Sequence, residues 1–199
     1  MLGSAMRSLV LGCLLLAACD EPEQVDKPTP QVLTRDAIGH YCQMIVADHQ
    51  GPKAQIFLTD REEPVWFSSV RDAIAFTLLP EEPKNIAAVY VTDMAEASWD
   101  TPEPDTWIDA ETAHFVIESE RRGGMGALEA VPFSDAAEAE NFIHQHGGRL
   151  VSYGDIPSGY ILNAEAETSA SHDHDMLDEG PMEHQDHEER GEAQHDGTH

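Results

Sequence analysis

Two blocks of the chain repeat one another at a constant spacing, and this repeat restricts the folds that the sequence can adopt. Residues 67–76 (FSSVRDAIAF) align with residues 133–142 (FSDAAEAENF) at an offset of 66 residues, with four identical positions. Each block follows a predicted strand containing a proline, Pro64 or Pro132, and precedes another predicted strand. The period is longer than that of solenoid repeats. The repeat therefore predicts an α+β fold of two tandem halves, each with the order strand–strand–helix–strand (ββαβ).

Short-range signals assign strands and helices within these halves. Two predicted helices, 69–77 and 135–146, each follow a serine, Ser68 or Ser134, that can accept hydrogen bonds from the first amides of the helix. The pair Gly147-Gly148 predicts the end of the second helix. Runs of β-branched, aromatic and other apolar residues predict the strands. These strands are 40–46, 54–58, 87–91, 113–118 and 129–132, with 149–152 as a further candidate.

The first residues are typical of a bacterial export signal. Arg7 precedes an apolar run at 9–18 that is too short to span a bilayer comfortably. The run ends in Leu16-Ala17-Ala18-Cys19, which resembles the lipobox of bacterial lipoproteins. This resemblance implies that residues 1–18 are removed as a signal peptide and that Cys19 is lipidated. The alternative is an ordinary signal peptide with a cysteine near its end. Residues 19–34 are polar and contain proline, which predicts a lipidated tether.

The C-terminal residues 164–199 differ sharply in composition from the rest. They contain 12 acidic residues, one basic residue and six histidines. Such a segment cannot bury enough apolar area to offset its chain entropy, so we predict a disordered acidic, His-rich tail. His172-x-His174 and His184-x-x-His187, with carboxylates beside them, would suit Zn²⁺, Ni²⁺ or Cu²⁺. A solvated tail that binds metal weakly and without selectivity is the alternative.

The remaining residues, 35–163, carry the predicted domain, with its halves at about 35–100 and 101–163. The whole chain has a formal net charge of −27. Binding to nucleic acid phosphates requires clustered Lys and Arg, so a nucleic-acid partner is excluded. Electrostatic binding to anionic lipid is excluded for the same reason. We therefore expect contact with the membrane to be made by the lipid anchor.

The cysteines direct attention to one residue. Three cysteines are too few for a disulfide framework, and Cys13 and Cys19 belong to the signal and the anchor. Cys42 remains, in the segment 41–44 (YCQM). In a strand, residues i and i+2 project from the same face, so Cys42 and Met44 should present a thiolate and a thioether side by side. Soft sulfur ligands select Cu(I) over harder divalent ions. The alternative is that Cys42 is a small buried apolar residue and that Met44 fills the core.

Met125 supplies a third candidate sulfur ligand. It lies between glycines in the segment 121–126 (RRGGMG), which predicts an exposed methionine on a flexible loop. One thiolate and two thioethers would complete a trigonal Cu(I) site. The alternative is a methionine at the edge of the core beside a tight turn. His49 and His114 are candidate additional ligands, or else histidines of a loop and of the surface.

No signal for catalysis accompanies these residues. The chain has no Gly-rich phosphate loop, no His-Glu-x-x-His and no Gly-x-Ser-x-Gly. Nothing in the sequence marks a Cys–His pair around Cys42. The acidic residues are scattered as a solvated surface and are not paired. We therefore predict that the protein is not an enzyme.

Several short motifs follow one another along the chain. They are the lipobox, 41–44 (YCQM), 49–56 (HQGPKAQI), 89–94 (VYVTDM), 107–110 (WIDA), 124–126 (GMG) with 131–133 (VPF), and 146–148 (HGG). Taken together, they resemble the NosL-type lipoproteins, a family of copper chaperones. The resemblance implies two ββαβ halves like those of organomercurial lyase. It also implies one Cu(I) held by Cys42, Met44 and Met125. Gln43 departs from the family's pattern, which commonly has glycine there, and should change local flexibility more than ligation.

The same resemblance implies a function and a place in the cell. We expect a lipid-anchored protein on the periplasmic face of a bacterial membrane that delivers Cu(I) for the copper centres of nitrous oxide reductase. Its partners would be that reductase and a membrane ABC-type maturation complex. Two other functions compete with this one. Organomercurial-lyase-like chemistry needs at least two thiols, and the mature chain offers one. A lipoprotein that buffers divalent metal through its His-rich tail, with the core as a scaffold, is the alternative function.

Overall fold

The computed structural model describes residues 27–163 of the chain. The predicted signal peptide (1–18), the predicted lipidation site Cys19 and the predicted tail (164–199) lie outside the described residues. The strands are β1 (Ala54–Leu58), β2 (Val65–Phe67), β3 (Ile86–Thr92), β4 (Trp107–Asp109), β5 (His114–Ile117), β6 (Val131–Phe133) and β7 (Arg149–Ser152). The α-helices are α1 (Val70–Leu78), α2 (Ala136–His146) and α3 (Ser158–Leu162), and short 3-10 helices cover Val46–Asp48 and Tyr153–Asp155.

The two sheets repeat one strand order, which confirms the predicted duplication. In the first unit (β1, β2, α1, β3) the order is β2-β1-β3, and in the second (β5, β6, α2, β7) it is β6-β5-β7. In each unit the central strand is antiparallel to both of its neighbours. β4 extends the first sheet by pairing with β3. The first residues of α1 and α2, Val70 and Ala136, lie 66 positions apart, so the helices keep the offset seen in the sequence.

Both helices begin one residue later than predicted. The side chain of Ser69 caps α1 by accepting from the Asp72 amide, and Asp135 caps α2 by accepting from the amides of Ala137 and Glu138. The predicted caps, Ser68 and Ser134, are therefore wrong by one position. A cap must have extended backbone and reach the second or third amide of the helix, and the residues that meet this condition are Ser69 and Asp135. The second helix ends at Gly147, as predicted, with φ +70°.

The two halves share one hydrophobic core. The first sheet, α1, β5 and α3 contribute fully or nearly fully buried side chains, among them Ile56, Phe67, Phe76, Phe115 and Ile161. Successive residues of β5 face opposite sides of its sheet, so Val116 instead packs with Phe133 in a smaller cluster beneath α2. Because β5 is covered on both sides, the second half cannot separate from the first without exposing apolar area.

One predicted strand, 40–46, is a turn. Within it, the Gly39 amide donates to the Met44 carbonyl, and the Gln43 amide donates to the Gly39 carbonyl. Gln43 has a left-handed φ of 55°, which an extended strand does not contain. Two isolated bridges flank the turn, Ile38 with Ile45 and Gly39 with Trp66. Of the apolar residues that suggested a strand, Val46 is buried in the core, whereas Tyr41, Met44 and Ile45 are about 40% exposed.

Part of the predicted tether is folded against the first sheet. Gln31 exchanges two hydrogen bonds of 2.9 Å with the buried side-chain amide of Gln55. Tyr90 donates to the Pro28 carbonyl at 2.7 Å, and Lys27 forms an ion pair with Asp109. Residues 27–34 of the predicted tether thus lie against the first sheet, where they supply polar partners for buried Gln55. Within 27–163, no helix is long and apolar enough to cross a bilayer.

Candidate metal site

A surface cleft of about 440 Å³ brings together two of the three predicted sulfur residues. Cys42 lines it from the turn before β1, and Met125 lines it from the loop between β5 and β6. The start of α1 lies beside Cys42 and adds to this side of the cleft, through Ser69, Arg71 and residues that follow them. Each half of the molecule therefore contributes one sulfur atom to the same cleft.

Close packing determines the position of Cys42. Its Sγ lies 3.4 Å from the Ser68 hydroxyl, in a hydrogen bond that either atom can donate. A Cβ at Gly39 would lie 2.5 Å from this sulfur, so any other residue at position 39 would displace the thiol. Cys42 is half-buried and is a free thiol. It is thus held at the start of α1 yet open to the cleft.

Aromatic packing and one carboxylate hold the turn that carries Cys42. The rings of His40 and Tyr41 contact Phe67, and His40 also contacts Phe76. Tyr41 donates to Glu82 at 2.8 Å, and a ring nitrogen of His40 lies 3.4 Å from the same oxygen. Burial and the Glu82 carboxylate raise the pKa of Tyr41 above its ordinary value, so the hydroxyl stays a donor.

Met44 is on the same turn but does not line the cleft. Its side chain is 43% exposed, and its carbonyl closes the turn by accepting from Gly39. The prediction that Cys42 and Met44 share a face of a strand is wrong, because no strand forms there. The side-chain amide of Gln43 adds a hydrogen bond across the turn by donating to the His40 carbonyl at 2.5 Å. Met44 therefore lies two residues from Cys42, on the surface outside the cleft lining.

Met125 is 46% exposed, on a loop that is longer than its counterpart in the first half. Thirteen positions separate the paired residues Ala54 and Phe67 in the first half, against 19 for His114 and Phe133 in the second. The extra residues form the loop on which Met125 is displayed. The two halves therefore differ in length at the loop that brings the Met125 sulfur into the cleft lining.

The glycines before Met125 permit close packing. A Cβ at Gly124 would lie 2.6 Å from His49 Cβ and 2.7 Å from the Gln50 carbonyl oxygen. A Cβ at Gly123 would lie 2.4 Å from Glu129 Oε2. These approaches seat the loop against the segment that follows Cys42. The prediction that these glycines make the loop flexible is corrected: Gly123 and Gly124 allow the loop backbone to approach its neighbours closely.

Neither candidate histidine lines the cleft. His49 packs against Gly124, and its Nε2 is buried with no hydrogen-bond partner among the described residues. His114 lies in β5, paired with Phe133 and Ser152 in the second sheet. Residues 27–163 contain no group of three or more His, Cys, Asp or Glu side chains that could hold a metal ion. Beside the Tyr41 and Ser69 hydroxyls and the Asp72 carboxylate, the cleft lining offers a metal two sulfur atoms, which suit a soft cation.

Two buried charged residues beside the cleft were not predicted. Lys53 and Glu129 are each 1% exposed. Lys53 donates to the carbonyls of Gln50 (2.9 Å) and Gly51 (2.5 Å), and burial lowers its pKa to about 8 while Glu129 opposes that shift. Burial raises the pKa of Glu129 to about 7, although amide hydrogen bonds, first that of Arg71, lower it. The sequence feature that could have identified both residues is an ionisable side chain directly before an apolar run that forms a buried strand.

Arg71 adds a positive charge to the α1 wall of the cleft. Its Nη1 lies 3.9 Å from Asp72 Oδ1, and both residues line the cleft. The two opposite charges offset one another, so the wall has no strong preference for an anion or a cation. Selection in the cleft then depends on the chemistry of its sulfur atoms and less on its charge.

These features define a class of protein: a duplicated ββαβ domain with a sulfur-bearing cleft between its halves. The NosL family model matches residues 30–161. The chain is 47% identical over 150 residues to the copper-binding lipoprotein NosL of Achromobacter cycloclastes, covering 74% of this chain and 77% of that protein. It is 30% identical over 175 residues to the copper-binding lipoprotein NosL of Stutzerimonas stutzeri, covering 87% and 90% respectively.

A solved structure agrees with these matches. The crystal structure of the copper chaperone NosL from Shewanella denitrificans is similar to this fold with a TM-score of 0.63 and 32% identity. The match covers 66% of this chain and 98% of that one. The chain therefore belongs to the NosL family, and the predicted recognition and fold class are confirmed.

Proposed function

We propose that this chain is a membrane-anchored periplasmic Cu(I) chaperone that supplies copper for assembly of the nitrous oxide reductase copper centres. The observation that carries the proposal is the cleft shared by the Cys42 thiol and the Met125 thioether. Relatives named as copper-binding lipoproteins and as a copper chaperone support copper as the cargo. The protein would act as a carrier, and copper would leave it unchanged, so no catalytic role is assigned.

The proposed ligands are Cys42, Met44 and Met125. Cys42 supplies the anionic sulfur, and the two thioethers favour Cu(I) over harder divalent ions. Met44 lies outside the cleft lining, but its side chain is exposed and has three rotatable bonds. It can therefore close over a metal that Cys42 and Met125 already hold. Its role in this scheme is that of a mobile third ligand.

The exposure of the site favours release by ligand exchange. Met44 and Met125 are 43% and 46% exposed, so a partner's sulfur or nitrogen can reach a bound metal. With three ligands, the metal can accept this incoming atom before Cys42 leaves. The Ser68 hydroxyl, 3.4 Å from Sγ, can donate to the thiolate and steady it once the metal has gone. Copper would thus transfer directly between proteins and not enter solution.

The proposed location in the cell rests on the N-terminal sequence, and the proposed partners rest on membership of the NosL family. Cys19, after a lipobox-like run, would carry the lipid once residues 1–18 are removed. The name "lipoprotein" of two relatives supports a cell-envelope location. The periplasmic face follows from the export signal. The partners would be nitrous oxide reductase and a membrane ABC-type maturation complex.

Competition titration with a Cu(I) chelator under anaerobic conditions tests the ligand set. We expect Cys42→Ser to abolish tight binding, and Met44→Leu and Met125→Leu to weaken it, because leucine keeps the volume but removes the sulfur. Met94→Leu is the matched control, since Met94 packs in the cluster beneath α2. Wild-type affinity for Cys42→Ser would refute the site.

A transfer assay tests delivery. The copper-loaded mature chain is mixed with copper-free nitrous oxide reductase, and copper on the reductase is measured after separation. We expect transfer from the wild type and no transfer from Cys42→Ser incubated with the same amount of copper. Equal loading of the reductase by free Cu(I) and by the loaded chain, at the same free copper concentration, would contradict a chaperone role.

The His-rich composition of residues 164–199 supports the alternative, divalent-metal buffering by the tail. Deletion of residues 165–199 separates the two functions. Cu(I) affinity that survives deletion supports the core site, whereas Cu(I) binding lost together with Zn²⁺ and Ni²⁺ binding supports the tail.

A further inference from the structure

A buried carboxylate links the two walls of the cleft. Glu129 Oε1 accepts from the Arg71 amide at 2.8 Å and from its neighbour's amide, Ala130, at 2.9 Å. Arg71 lies in the first turn of α1, just after Ser68, whose hydroxyl contacts Cys42 Sγ. A residue of the second half therefore anchors the segment of the first half against which Cys42 lies.

The other carboxylate oxygen supports the loop of Met125. A Cβ on Gly123 would lie only 2.4 Å from Oε2, so the loop backbone rests directly on this atom. The Gly123 amide donates to the Ala127 carbonyl at 3.0 Å, and the Gly126 amide donates to the Gly123 carbonyl at 2.8 Å. These bonds close a tight turn around Met125. Displacement of the Glu129 side chain would therefore move this turn as a unit.

Packing alone does not explain a carboxylate in this position. Oε2 is buried and has no hydrogen-bond partner among the described residues. Burial of a polar atom without a partner costs free energy, and an apolar side chain of similar size would fill the space at lower cost. The equivalent residue of the first half, Glu63, is exposed, so the repeat does not require burial here. What the carboxylate adds is the hydrogen bond to the start of α1.

We propose that Glu129 is a positioning residue that holds the Cys42 wall and the Met125 loop at the separation needed for both sulfur atoms to bind one metal. This inference rests on the proposed function, and it assigns to Glu129 no contact with the metal. Substitutions of residues that orient metal ligands typically lower metal affinity by about 10–100-fold. The expected effect of losing Glu129 is a loss of the contribution made by Met125.

The test is a double-mutant cycle measured by Cu(I) competition on the mature, membrane-extracted chain. Glu129→Leu should lower Cu(I) affinity about tenfold or more. Combined with Met125→Leu, it should cause little further loss, because both changes remove the same ligand contribution. When Glu129→Leu is combined with Met44→Leu, the fold-losses in Cu(I) affinity of the two single variants should multiply. Glu129→Gln, which keeps an oxygen acceptor for the Arg71 amide, should retain most of the affinity, and Glu63→Leu is the matched control.

A second variant approaches the same contact from the loop. Gly123→Ala leaves Glu129 intact but places a methyl group on its carboxylate, so it should lower Cu(I) affinity without further loss in Met125→Leu. Gly154→Ala, at a glycine with open space around it, should have no effect. X-ray absorption of the copper-loaded chain should show one sulfur fewer in Glu129→Leu than in the wild type.

The failure of this inference differs from the failure of the proposed function. If Cys42→Ser binds Cu(I) as tightly as the wild type, the proposed function fails. If Cys42→Ser loses binding while folded Glu129→Leu and Gly123→Ala keep wild-type affinity, the positioning role alone is overturned. The positioning role would also be overturned if the double variant lost Cu(I) affinity by the product of the two single-variant losses, since the two residues would then act independently. Thermal unfolding of each copper-free variant checks that it is folded.

Discussion

The two halves have the same strand order but are buried to different degrees. In the first half every residue of β1 is buried, and α1 buries five of its nine residues. In the second half β7 has no buried residue, and α2 buries only Ala139. The first half therefore provides most of the core, and the second half lies against it through β5.

The cleft arises where the halves differ. Cys42 comes from a turn before β1, and Met125 comes from the extended β5–β6 loop. The pair Glu63 and Glu129 shows the same principle, since these equivalent residues are exposed and buried respectively. The shared ββαβ framework sets the relative positions of the two sides of the cleft. The segments that depart from the repeat carry its sulfur atoms and the buried carboxylate.

The largest expected effect compares two phenylalanines at equivalent positions. Phe76→Ala should lower the free energy of unfolding by about 3–5 kcal/mol, because Phe76 is fully buried in the shared core. Phe142→Ala should lower it by only about 1–2 kcal/mol, because Phe142 is partly exposed on α2. Denaturant unfolding measures both. Equal losses would show that the second half contributes as much to the core as the first.

The second prediction concerns the two equivalent glutamates and pH. Burial raises the pKa of Glu129 from 4.5 to about 7, so the folded state keeps a proton that the unfolded state releases. Its contribution to stability is fully present below pH 4.5 and is lost as pH rises to about 7, in total about 3 kcal/mol.

The slope of unfolding free energy against pH checks this prediction. Glu129→Gln should remove the downward component between pH 4.5 and 7, and the exposed Glu63→Gln should leave it in place. A wild-type slope in Glu129→Gln would mean that Glu129 ionises as freely in the folded state as in the unfolded state.

The third prediction compares the two helix caps. Ser69→Ala and Asp135→Ala should each cost about 1 kcal/mol of stability, because each removes acceptors for amides in the first turn. Only Ser69→Ala should also weaken Cu(I) binding, since Ser69 lines the cleft and Asp135 does not. Urea unfolding and chelator competition on the same samples measure both. An affinity loss in Asp135→Ala would indicate that the second helix also shapes the site.

The smallest effect is expected at Gln43. Gln43→Gly should relieve the strain of a left-handed φ of 55° but lose the hydrogen bond to the His40 carbonyl. Glycine also has more conformational freedom in the unfolded state, which disfavours folding. The relief of strain is therefore nearly offset by the lost hydrogen bond and this entropy, and the free energy of unfolding should change by less than about 1 kcal/mol. Cu(I) affinity should stay within about twofold, as only a change above about 1.4 kcal/mol gives tenfold. A tenfold change would show that this residue tunes ligation.

Much of the framework was predictable from short-range patterns. The offset of 66 residues predicted two ββαβ units, and these form with the same sheet order. The helices were located to within one residue at their starts. The caps were assigned to Ser68 and Ser134 because serine is a good cap, but the residue that adopts extended backbone is the next one in each case. Composition cannot decide between neighbouring caps.

The site was predictable in its residue types and less so in its geometry. Cys42 and Met125 were singled out by sulfur chemistry, and the cleft brings them together. The strand predicted at 40–46 failed because apolar spacing does not report the left-handed Gln43 or the tight approach of Gly39 to the thiol. Met44 was therefore expected on the same face as Cys42, and it lies outside the cleft lining.

The sequence by itself determined the duplication, the approximate helix positions and the sulfur chemistry, because repeats, caps and ligand types depend on residues close together in the chain. Only the tertiary structure decided that Glu63 is exposed while Glu129 is buried against the start of α1. Burial of a charge depends on what the opposite half presents. For the same reason, the packing of α1 against the Met125 loop, and not either segment alone, forms the cleft.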